Sequence, residues 1–385
     1  MEFTYFNPVE IKFGTGKINE LPSVIKEYGS KVLIVTGTAM RRTGVLDEVE
    51  NKLSSAGIEY VLFEGVGEDP TADKINQGAK LAKEENVEVV IGFGGGSSID
   101  TAKGISVVST HSEDVLSYTV DGKLGSEQIT DNNLPIIAIP TTAGTGSETN
   151  LAAVVTDTKN NLKTVLASPN LYADASIIDP ELTLTLPKSV TFNTGIDALC
   201  QSIEAYVSKE ANPIVEGVCL KSIELISNSL TKVLEDRENL EARKKMSLGA
   251  TLSGIAISQS GVGAAHALSM VLGGEYGITH GLGIALVLPE VIDYNSEIRN
   301  KKYSKIAQSW GIDTKELSDK EAVDKLKEEL KKLKEDNIDV KLRDFDINRD
   351  ELLDLGRKAC NHGDMTNNPR EPEPEEMEKI LRKVF

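Results

Sequence analysis

The chain has 385 residues, with 42 basic and 60 acidic side chains and a formal net charge of −18. This acidity argues against a nucleic-acid partner or an anionic membrane surface, both of which attract basic proteins. The composition, 39% hydrophobic and 26% charged, is that of a globular chain of two or three domains. Three scattered cysteines, no signal-peptide pattern and no apolar run of 18 residues predict a cytoplasmic protein without a transmembrane helix.

The first half of the chain alternates predicted strands and helices. Continuous apolar runs predict buried strands at 31–36, 59–63, 87–93 and 134–139. Helical patterns between them predict helices at 45–56, 72–85 and 98–110. This order predicts a doubly wound, mostly parallel, Rossmann-like sheet in an α/β domain over 1–180.

The second half carries helical patterns only. Long helices are predicted at 194–207, 214–230 and 242–259 and around Val291, and a Lys/Glu-rich stretch near 323–333 reads as a helix with a solvated face. The prediction is an all-helical domain over 181–385.

A glycine-rich loop, GFGGGSSID at 92–100, separates a predicted strand from a predicted helix. Backbone N–H groups at such a helix start bind phosphate, and glycine permits close approach of the ligand. The spacing is not a full GxGxxG pattern, because Ser97 stands at the third glycine position. A structural turn without a ligand therefore stays an alternative for this loop alone.

A second loop, PTTAGTGSE at 140–148, follows the strand predicted at 134–139. Its four hydroxyl side chains and two glycines offer many donors to a polar or anionic ligand. Open α/β sheets bind their ligands at this carboxyl end. Together the two loops indicate a phosphate-bearing cofactor.

Asp197, His266 and His280 are candidates for a divalent metal site. His266 lies in a predicted helix that Gly273 and Gly274 are expected to break, and His280 follows before Gly281. Asp197 and Gln201, four residues apart, share a helix face. One carboxylate and two imidazoles suit Fe²⁺ or Zn²⁺ with an open position. From the residues alone this is a weak signal, because an Asp on a helix is usually solvated or capping and a His is usually a core residue.

Several motifs in one order resemble the iron-containing (group III) alcohol dehydrogenase family over nearly the whole chain. They are GGGSSIDTAKG at 94–104, PTTAGTGSE at 140–148, GIDAL and IEAYVS within 195–208, His266 and His280 in their glycine contexts, LPEVIDYN at 288–295 and NPR at 368–370. The resemblance implies a dehydroquinate-synthase-like architecture, in which a dinucleotide-binding α/β domain and a helical metal-binding domain form the active site between them.

The resemblance also implies which residues contact the cofactor. Those of the first loop are Gly94, Gly95, Gly96, Ser97 and Asp100, those of the second are Thr141, Thr142, Thr145 and Gly146, and Lys163 matches a family lysine.

For the metal, the family uses one aspartate and three histidines. Asp197, His266 and His280 match three of these ligands and are the predicted catalytic residues, whereas Gln201 stands at the fourth position. A Gln carbonyl oxygen is a harder and weaker ligand than imidazole, although three ligands suffice in a glycerol-dehydrogenase-like branch. Met270 stands where many members have a further His, so a histidine proton relay is not expected here.

The residues after the strand at 31–36 bear on the choice of nicotinamide cofactor. Gly37 occupies a position where NAD-preferring members carry an aspartate, and Thr38, Arg41 and Arg42 follow. Without the carboxylate, and with arginines nearby, a 2′-phosphate is favoured, so NADP(H) is predicted over NAD(H).

We therefore expect a metal-dependent, NAD(P)-dependent alcohol dehydrogenase or aldehyde reductase that acts on a small alcohol or aldehyde and forms a homo-oligomer. The alternatives are a dehydroquinate-synthase-like or glycerol-dehydrogenase-like enzyme of the same architecture. A cofactor-binding relic with impaired metal binding is a third, suggested by Gln201 and Met270.

Overall fold

The computed structural model describes residues 2–67, 69–160 and 162–385. The chain divides into two compact units, one over Asn7–Thr185 and the other over Leu186–Phe385 together with the residues up to Phe6. The predicted division after residue 180 thus lies five residues before the observed one.

The unit Asn7–Thr185 is built on a parallel six-stranded sheet. Its strands are β1 (Glu10–Phe13), β2 (Lys31–Thr36), β3 (Glu59–Phe63), β4 (Val89–Gly94), β5 (Ile136–Pro140) and β8 (Ala175–Ile178), in the order β1-β8-β5-β4-β2-β3. The helices are α1 (Leu21–Tyr28), α2 (Thr38–Arg42), α3 (Val45–Ser55), α4 (Ala72–Glu84) and α5 (Gly96–Thr110). Apolar clusters cover both faces of the sheet, as the continuous apolar strands require. The predicted doubly wound parallel sheet is confirmed.

An antiparallel hairpin of β6 (Ala152–Asp157) and β7 (Leu162–Ala167) forms a separate sheet. Sequence analysis missed it, and it also missed β1, β8 and α1. Buried and partly buried residues alternate along β6, so the hairpin is not buried on both faces as the central strands of the large sheet are.

The second unit is all-helical, as predicted. Its helices are α6 (Lys188–Val207), α7 (Pro213–Ser227), α8 (Leu230–Glu235), α9 (Leu240–Ser260), α10 (Ala264–Tyr276), α11 (His280–Trp310), α12 (Asp319–Glu335), α13 (Leu352–Cys360) and α14 (Pro374–Val384). The expected break at Gly273 and Gly274 was wrong, because α10 continues through both to Tyr276. A helical glycine costs only about 1 kcal/mol, which packing overrides.

Within the described residues, we find no single helix both long and apolar enough to cross a membrane. Helices α9 and α10 meet the length and composition requirement only as a pair, and they are bent by 99° relative to each other.

Candidate active site

The first glycine loop lies where β4 ends and α5 begins. Gly94 has φ +150°, which favours glycine, and Gly95 is the N-cap of α5. The sequence prediction began the helix at Ser98, but it begins at Gly96. The first N–H groups of α5 consequently lie within the glycine run, and that arrangement binds phosphate in dinucleotide-binding folds.

The second loop packs directly on the first. The Thr141 N–H donates to the Gly94 carbonyl at 2.8 Å. A Cβ atom on Gly96 would lie 2.6 Å from Thr145 Oγ1, so only glycine permits this approach. The structure therefore brings Gly94–Gly96 and the predicted threonines together at the carboxyl ends of β4 and β5.

Asp100, a predicted cofactor contact, has both carboxylate oxygens bound inside the protein. They accept hydrogen bonds from Ser147 Oγ and from the Val154 N–H, the latter at 3.0 Å. Burial raises the pKa of Asp100, against the opposing effects of Lys103, Ser147 and Val154. Asp100 thus joins α5 to the second loop rather than pointing a free carboxylate at a ligand.

Lys103 was missed by the sequence analysis. It is fully buried, and its ammonium group donates to the Asn150 carbonyl at 2.8 Å and to the Ala152 carbonyl at 2.9 Å. Burial lowers the pKa of Lys103 to about 8, although Asp100 and Glu148 act in the opposite direction. The sequence did offer a signal for this buried charge. Lys103 lies three residues after Asp100 on a helix that is otherwise small and apolar along most of its length.

The residues expected near the cofactor ribose are arranged differently from the prediction. Gly37 ends β2 and is the N-cap of α2, whose first residue is Thr38. Arg41 forms ion pairs with Asp47 at 2.6 Å, Glu50 at 2.5 Å and Glu64 at 3.3 Å. Its charge is therefore already neutralised, whereas Arg42 is exposed.

Lys163, on β7, forms an ion pair with Asp69 at 2.6 Å. This lysine is therefore also occupied in the structure, and its predicted contact with the cofactor requires that the pair open.

The metal candidates converge within the helical unit. Asp197 lies on α6, His266 in the first turn of α10, and His280 at the first position of α11. Asp197 Oδ1 is 3.3 Å from His266 Nε2 and 3.5 Å from His280 Nε2. With ligand bonds of about 2.1 Å, tetrahedral geometry separates ligand atoms by about 3.4 Å. Both distances from the carboxylate oxygen are thus those expected of ligands of one ion, and all three atoms lie within 4.8 Å of one another.

Hydrogen bonds on the far side of each ring orient the two imidazoles. His266 Nδ1 lies 2.6 Å from Glu204 Oε2. His280 Nδ1 lies 3.2 Å from Ser269 Oγ, and that hydroxyl donates to the His280 carbonyl, so it accepts from the ring. Both Nδ1 atoms thus carry the proton, and both Nε2 lone pairs are directed at Asp197. Such carboxylate and hydroxyl partners are usual behind metal-bound histidines.

Two buried atoms at this point have no hydrogen-bond partner: Asp197 Oδ1 and His266 Nε2. An unpaired buried carboxylate oxygen is costly, and a cation between these atoms would satisfy both. The residues therefore fit a divalent ion.

The acidic groups around His266 also favour its protonated form. Burial lowers the pKa of His266, but Cys200, Asp197 and Glu204 together raise it well above its ordinary value. Burial likewise raises the pKa of Asp197, and the two imidazoles lower it by more. A divalent ion held by His266 would therefore have to compete with a proton for the same nitrogen.

Glycines allow this packing of helices. A Cβ on Gly283 would lie 2.6 Å from Ser269 Oγ, the hydroxyl that binds His280.

Ser269 and Glu204 were not recognised as functional from the sequence. Glu204 lies seven residues after Asp197, two helical turns along the same face of α6, and this spacing was the available signal.

Gln201 lies beside Asp197 but is not oriented as a ligand. Its Oε1 accepts a hydrogen bond from Ser253 Oγ at 2.8 Å, and its Nε2 is 3.4 Å from Asp197 Oδ2. The amide thus presents its nitrogen, not its oxygen, to the carboxylate.

Residues 8–180 match the family described as iron-containing alcohol dehydrogenase, and residues 191–385 match the C-terminal domain of the Fe-containing alcohol dehydrogenase family. The chain belongs to the iron-containing alcohol dehydrogenase family. Membership implies a nicotinamide cofactor, NAD or NADP, and a divalent metal ion, and it makes the chain an oxidoreductase of alcohols or aldehydes.

Known relatives match this chain over nearly its full length. It is 37% identical to a choline dehydrogenase of Bacillus subtilis over 99% of this chain and 95% of that protein. It is 34% identical to a 1,3-propanediol dehydrogenase of Citrobacter freundii over 100% and 99% of the two chains. The crystal structure of a 1,3-propanediol oxidoreductase superposes with a TM-score of 0.95 at 32% identity and full coverage of both chains. None of the three alternatives, the dehydroquinate-synthase-like enzyme, the glycerol-dehydrogenase-like enzyme and the relic, is favoured by these matches.

Proposed function

We propose that this family member interconverts a small alcohol and its aldehyde with one divalent ion held by Asp197, His266 and His280. The observation that carries this proposal is the convergence of the two Nε2 atoms at 3.3 and 3.5 Å from Asp197 Oδ1. All three atoms lie within 4.8 Å of one another, and two of them are buried without a hydrogen-bond partner. Imidazole and carboxylate ligands suit either Fe²⁺ or Zn²⁺.

When bound, the ion supplies Lewis acidity toward the substrate oxygen and the nicotinamide accepts or donates the hydride. The protein's part is orientation. Glu204 and Ser269 fix the two imidazole planes, and the side chain of His280, which is 37% exposed, leaves one side of the cluster open to a substrate. Met270 has no titratable group, so we assign no side-chain relay there and expect the proton to leave through water.

Gln201 acts in this scheme by positioning Asp197. Its amide nitrogen lies beside the second carboxylate oxygen while Ser253 binds its own oxygen. The ion would then have three protein ligands, which leaves a coordination position for the substrate oxygen.

The two glycine loops bind the cofactor phosphates through the first N–H groups of α5, and Thr141, Thr142, Thr145 and Gly146 line the same site. Asp100 and Lys103 hold the loops in place. NADP(H) stays our predicted cofactor, but the support now comes from Gly37 and Arg42, because carboxylates already neutralise Arg41.

A homo-oligomer is also proposed. Among the described residues, β1 is an outer strand that pairs only with β8, and Ile11 on it is 38% exposed. Such an edge favours pairing with another copy. Light scattering after size-exclusion chromatography would measure the mass, and a monomer at micromolar concentration would contradict this point.

The test of function is an activity panel on protein reconstituted with Fe²⁺ or with Zn²⁺. Substrates are choline, 1,3-propanediol and butan-1-ol, with NADP⁺ and NAD⁺ in parallel and the corresponding aldehydes in reverse. We expect metal-dependent turnover of at least one alcohol and its loss in His266→Ala, while Glu224→Gln, an exposed change on α7, keeps activity. Full turnover by metal-free protein would contradict the proposal.

A further inference from the structure

Two sequence motifs that the proposed chemistry does not use lie against each other in the helical unit. They are LPEVIDYN at 288–295, on α11, and NPR at 368–370, in the connection between α13 and α14. The last residue of the first motif and the first of the second form a reciprocal amide pair. Asn295 Nδ2 donates to Asn368 Oδ1 at 2.9 Å, and Asn368 Nδ2 donates to Asn295 Oδ1 at 3.1 Å. Both side chains are fully buried.

Arg370 fastens the NPR segment to the same helix. Its guanidinium carbon lies 4.1 Å from the centre of the Tyr294 ring, a cation–π contact, and it forms an ion pair with Glu376 on α14 at 2.6 Å. Asn368 Nδ2 also donates to the Arg370 carbonyl at 2.5 Å. Since Nδ2 faces two carbonyl oxygens, the orientation of the Asn368 amide is fixed, and its Oδ1 is the acceptor.

The Asn368 oxygen reaches the helix that carries a predicted metal ligand. The Ala264 N–H donates to Asn368 Oδ1 at 3.3 Å, and Ala264 begins α10 two residues before His266. The N–H groups of the residues on either side of Ala264 donate to the Glu204 carboxylate. The first N–H groups of a helix have no partner within it, so Asn368 satisfies the one that Glu204 leaves.

The two acceptors meet at one backbone position. A Cβ on Gly263 would lie 3.0 Å from Asn368 Oδ1 and 3.2 Å from Glu204 Oε1. Glu204 also binds the ring of His266 at Nδ1. The first turn of α10 is therefore held by Asn368 and by the carboxylate that orients the imidazole, and a displacement of this turn would displace the imidazole as well.

We propose that Asn368, held in place by Asn295, is a positioning residue for the metal ligand His266. By fixing the start of α10, the amide pair sets where His266 Nε2 lies relative to Asp197. The proposal rests on the proposed function, because it concerns the ion of that same site. An amide suits the role, since it accepts two hydrogen bonds and donates two, whereas a carboxylate of the same shape can only accept.

The experiment measures metal binding in Asn368→Ala, Asn295→Ala and the double variant. Competition with a chelator gives the Kd for Zn²⁺, which we expect each single change to raise about tenfold. The double variant should be no weaker than about tenfold, because the two amides act as one unit, whereas independent effects would multiply to about a hundredfold. The visible absorption of bound Co²⁺ reports coordination geometry and should shift in all three variants.

Two controls separate positioning from a general loss of stability. Glu371→Gln removes a carboxylate that is 90% exposed on the same connection, and it should leave the Kd and the Co²⁺ spectrum unchanged. Val323→Ala, buried on α12, should lower Tm without changing either. Asn295→Ala retains the acceptor for Ala264, so it tests the pair if Asn368→Ala does not fold. Unchanged Kd values in the single variants, or an equal rise in Val323→Ala, would overturn the proposal.

Histidine NMR distinguishes failure of this inference from failure of the proposed function. If the wild type binds neither Zn²⁺ nor Co²⁺, the proposed function fails, and the His266 ring is then observed in metal-free protein with labelled histidine. The chain has four histidines, and His266→Ala identifies the signal. A His266 signal that changes in Asn368→Ala but not in Glu371→Gln supports the inference. A signal that is the same in all three proteins overturns it.

Discussion

The carboxylate of Glu204 lies 2.6 Å from Nδ1 of His266, and it also accepts hydrogen bonds from Gly263 N–H at 2.8 Å and Ala265 N–H at 2.7 Å. One buried carboxylate therefore caps the start of α10 and orients the imidazole two residues inside it. Negative charge is favourable at a helix N-terminus, so the same group stabilises the helix and sets the ligand geometry.

Glu204→Gln should weaken metal binding by about 10–100-fold, because the imidazole loses the partner that fixes its tautomer. The free energy of unfolding should fall by about 1–3 kcal/mol, since hydrogen bonds to a charged acceptor are lost. Metal titration and chemical denaturation measure the two effects. Glu224→Gln on the exposed face of α7 is the control, and an unchanged metal Kd in Glu204→Gln would show that the contact is only structural.

Gln201→Ala should leave metal binding within about tenfold of the wild type, because the Gln201 oxygen is bound to Ser253 rather than directed at the ion. Gln201→His should tighten binding by adding a third imidazole. Competition with a chelator gives both constants. If Gln201→Ala loses the metal altogether, the amide oxygen is a ligand and the orientation assigned here is wrong.

Gly96→Ala should raise the KM for the nicotinamide cofactor by about tenfold or more, a loss of about 1.4 kcal/mol. The new Cβ would meet Thr145 at 2.6 Å and separate the two loops. Gly217→Ala is the matched control, since its Cβ enters open space on α7 and should stabilise the protein by about 0.5–1 kcal/mol. Unchanged cofactor binding in Gly96→Ala would mean that the loops do not form the phosphate site.

Stability should rise between pH 8 and pH 10.5 because of Lys103, whose pKa burial lowers from 10.5 to about 8. In this window the unfolded chain keeps the proton that the folded chain has released, so the free energy of unfolding increases with pH. The gain from this group is at most about 3 kcal/mol. Urea unfolding of wild type and Lys103→Met at pH 7.5, 9 and 10 measures the difference. Parallel pH profiles for the two proteins would refute the lowered pKa.

Arg42→Gln should lower kcat/KM for NADPH relative to NADH by several-fold, because this exposed guanidinium is the predicted partner of the 2′-phosphate. Arg41→Gln should change the ratio less, since Asp47, Glu50 and Glu64 already neutralise Arg41. Initial rates with each cofactor give the ratio. A larger effect at Arg41 would reverse the assignment.

The sequence determined the parallel sheet, the two glycine loops and the residue types of the metal cluster. Buried parallel strands need continuous apolar runs, and a phosphate loop needs glycine between strand and helix, so both leave local patterns. The predicted helix end at Gly273 failed because packing outweighs the local cost of glycine. The β6–β7 hairpin was missed although LAAVV at 151–155 is a short apolar run.

Tertiary structure decided the partners of each charged group. Arg41 binds Glu64, which lies 23 positions further along the chain, and Glu204 binds His266, which lies 62 positions further. Asn368 accepts a hydrogen bond from Ala264, which begins a helix 104 residues earlier. Whether a charge is free, neutralised or directed at a ligand depends on neighbours brought together by folding. No local pattern in the sequence records those neighbours.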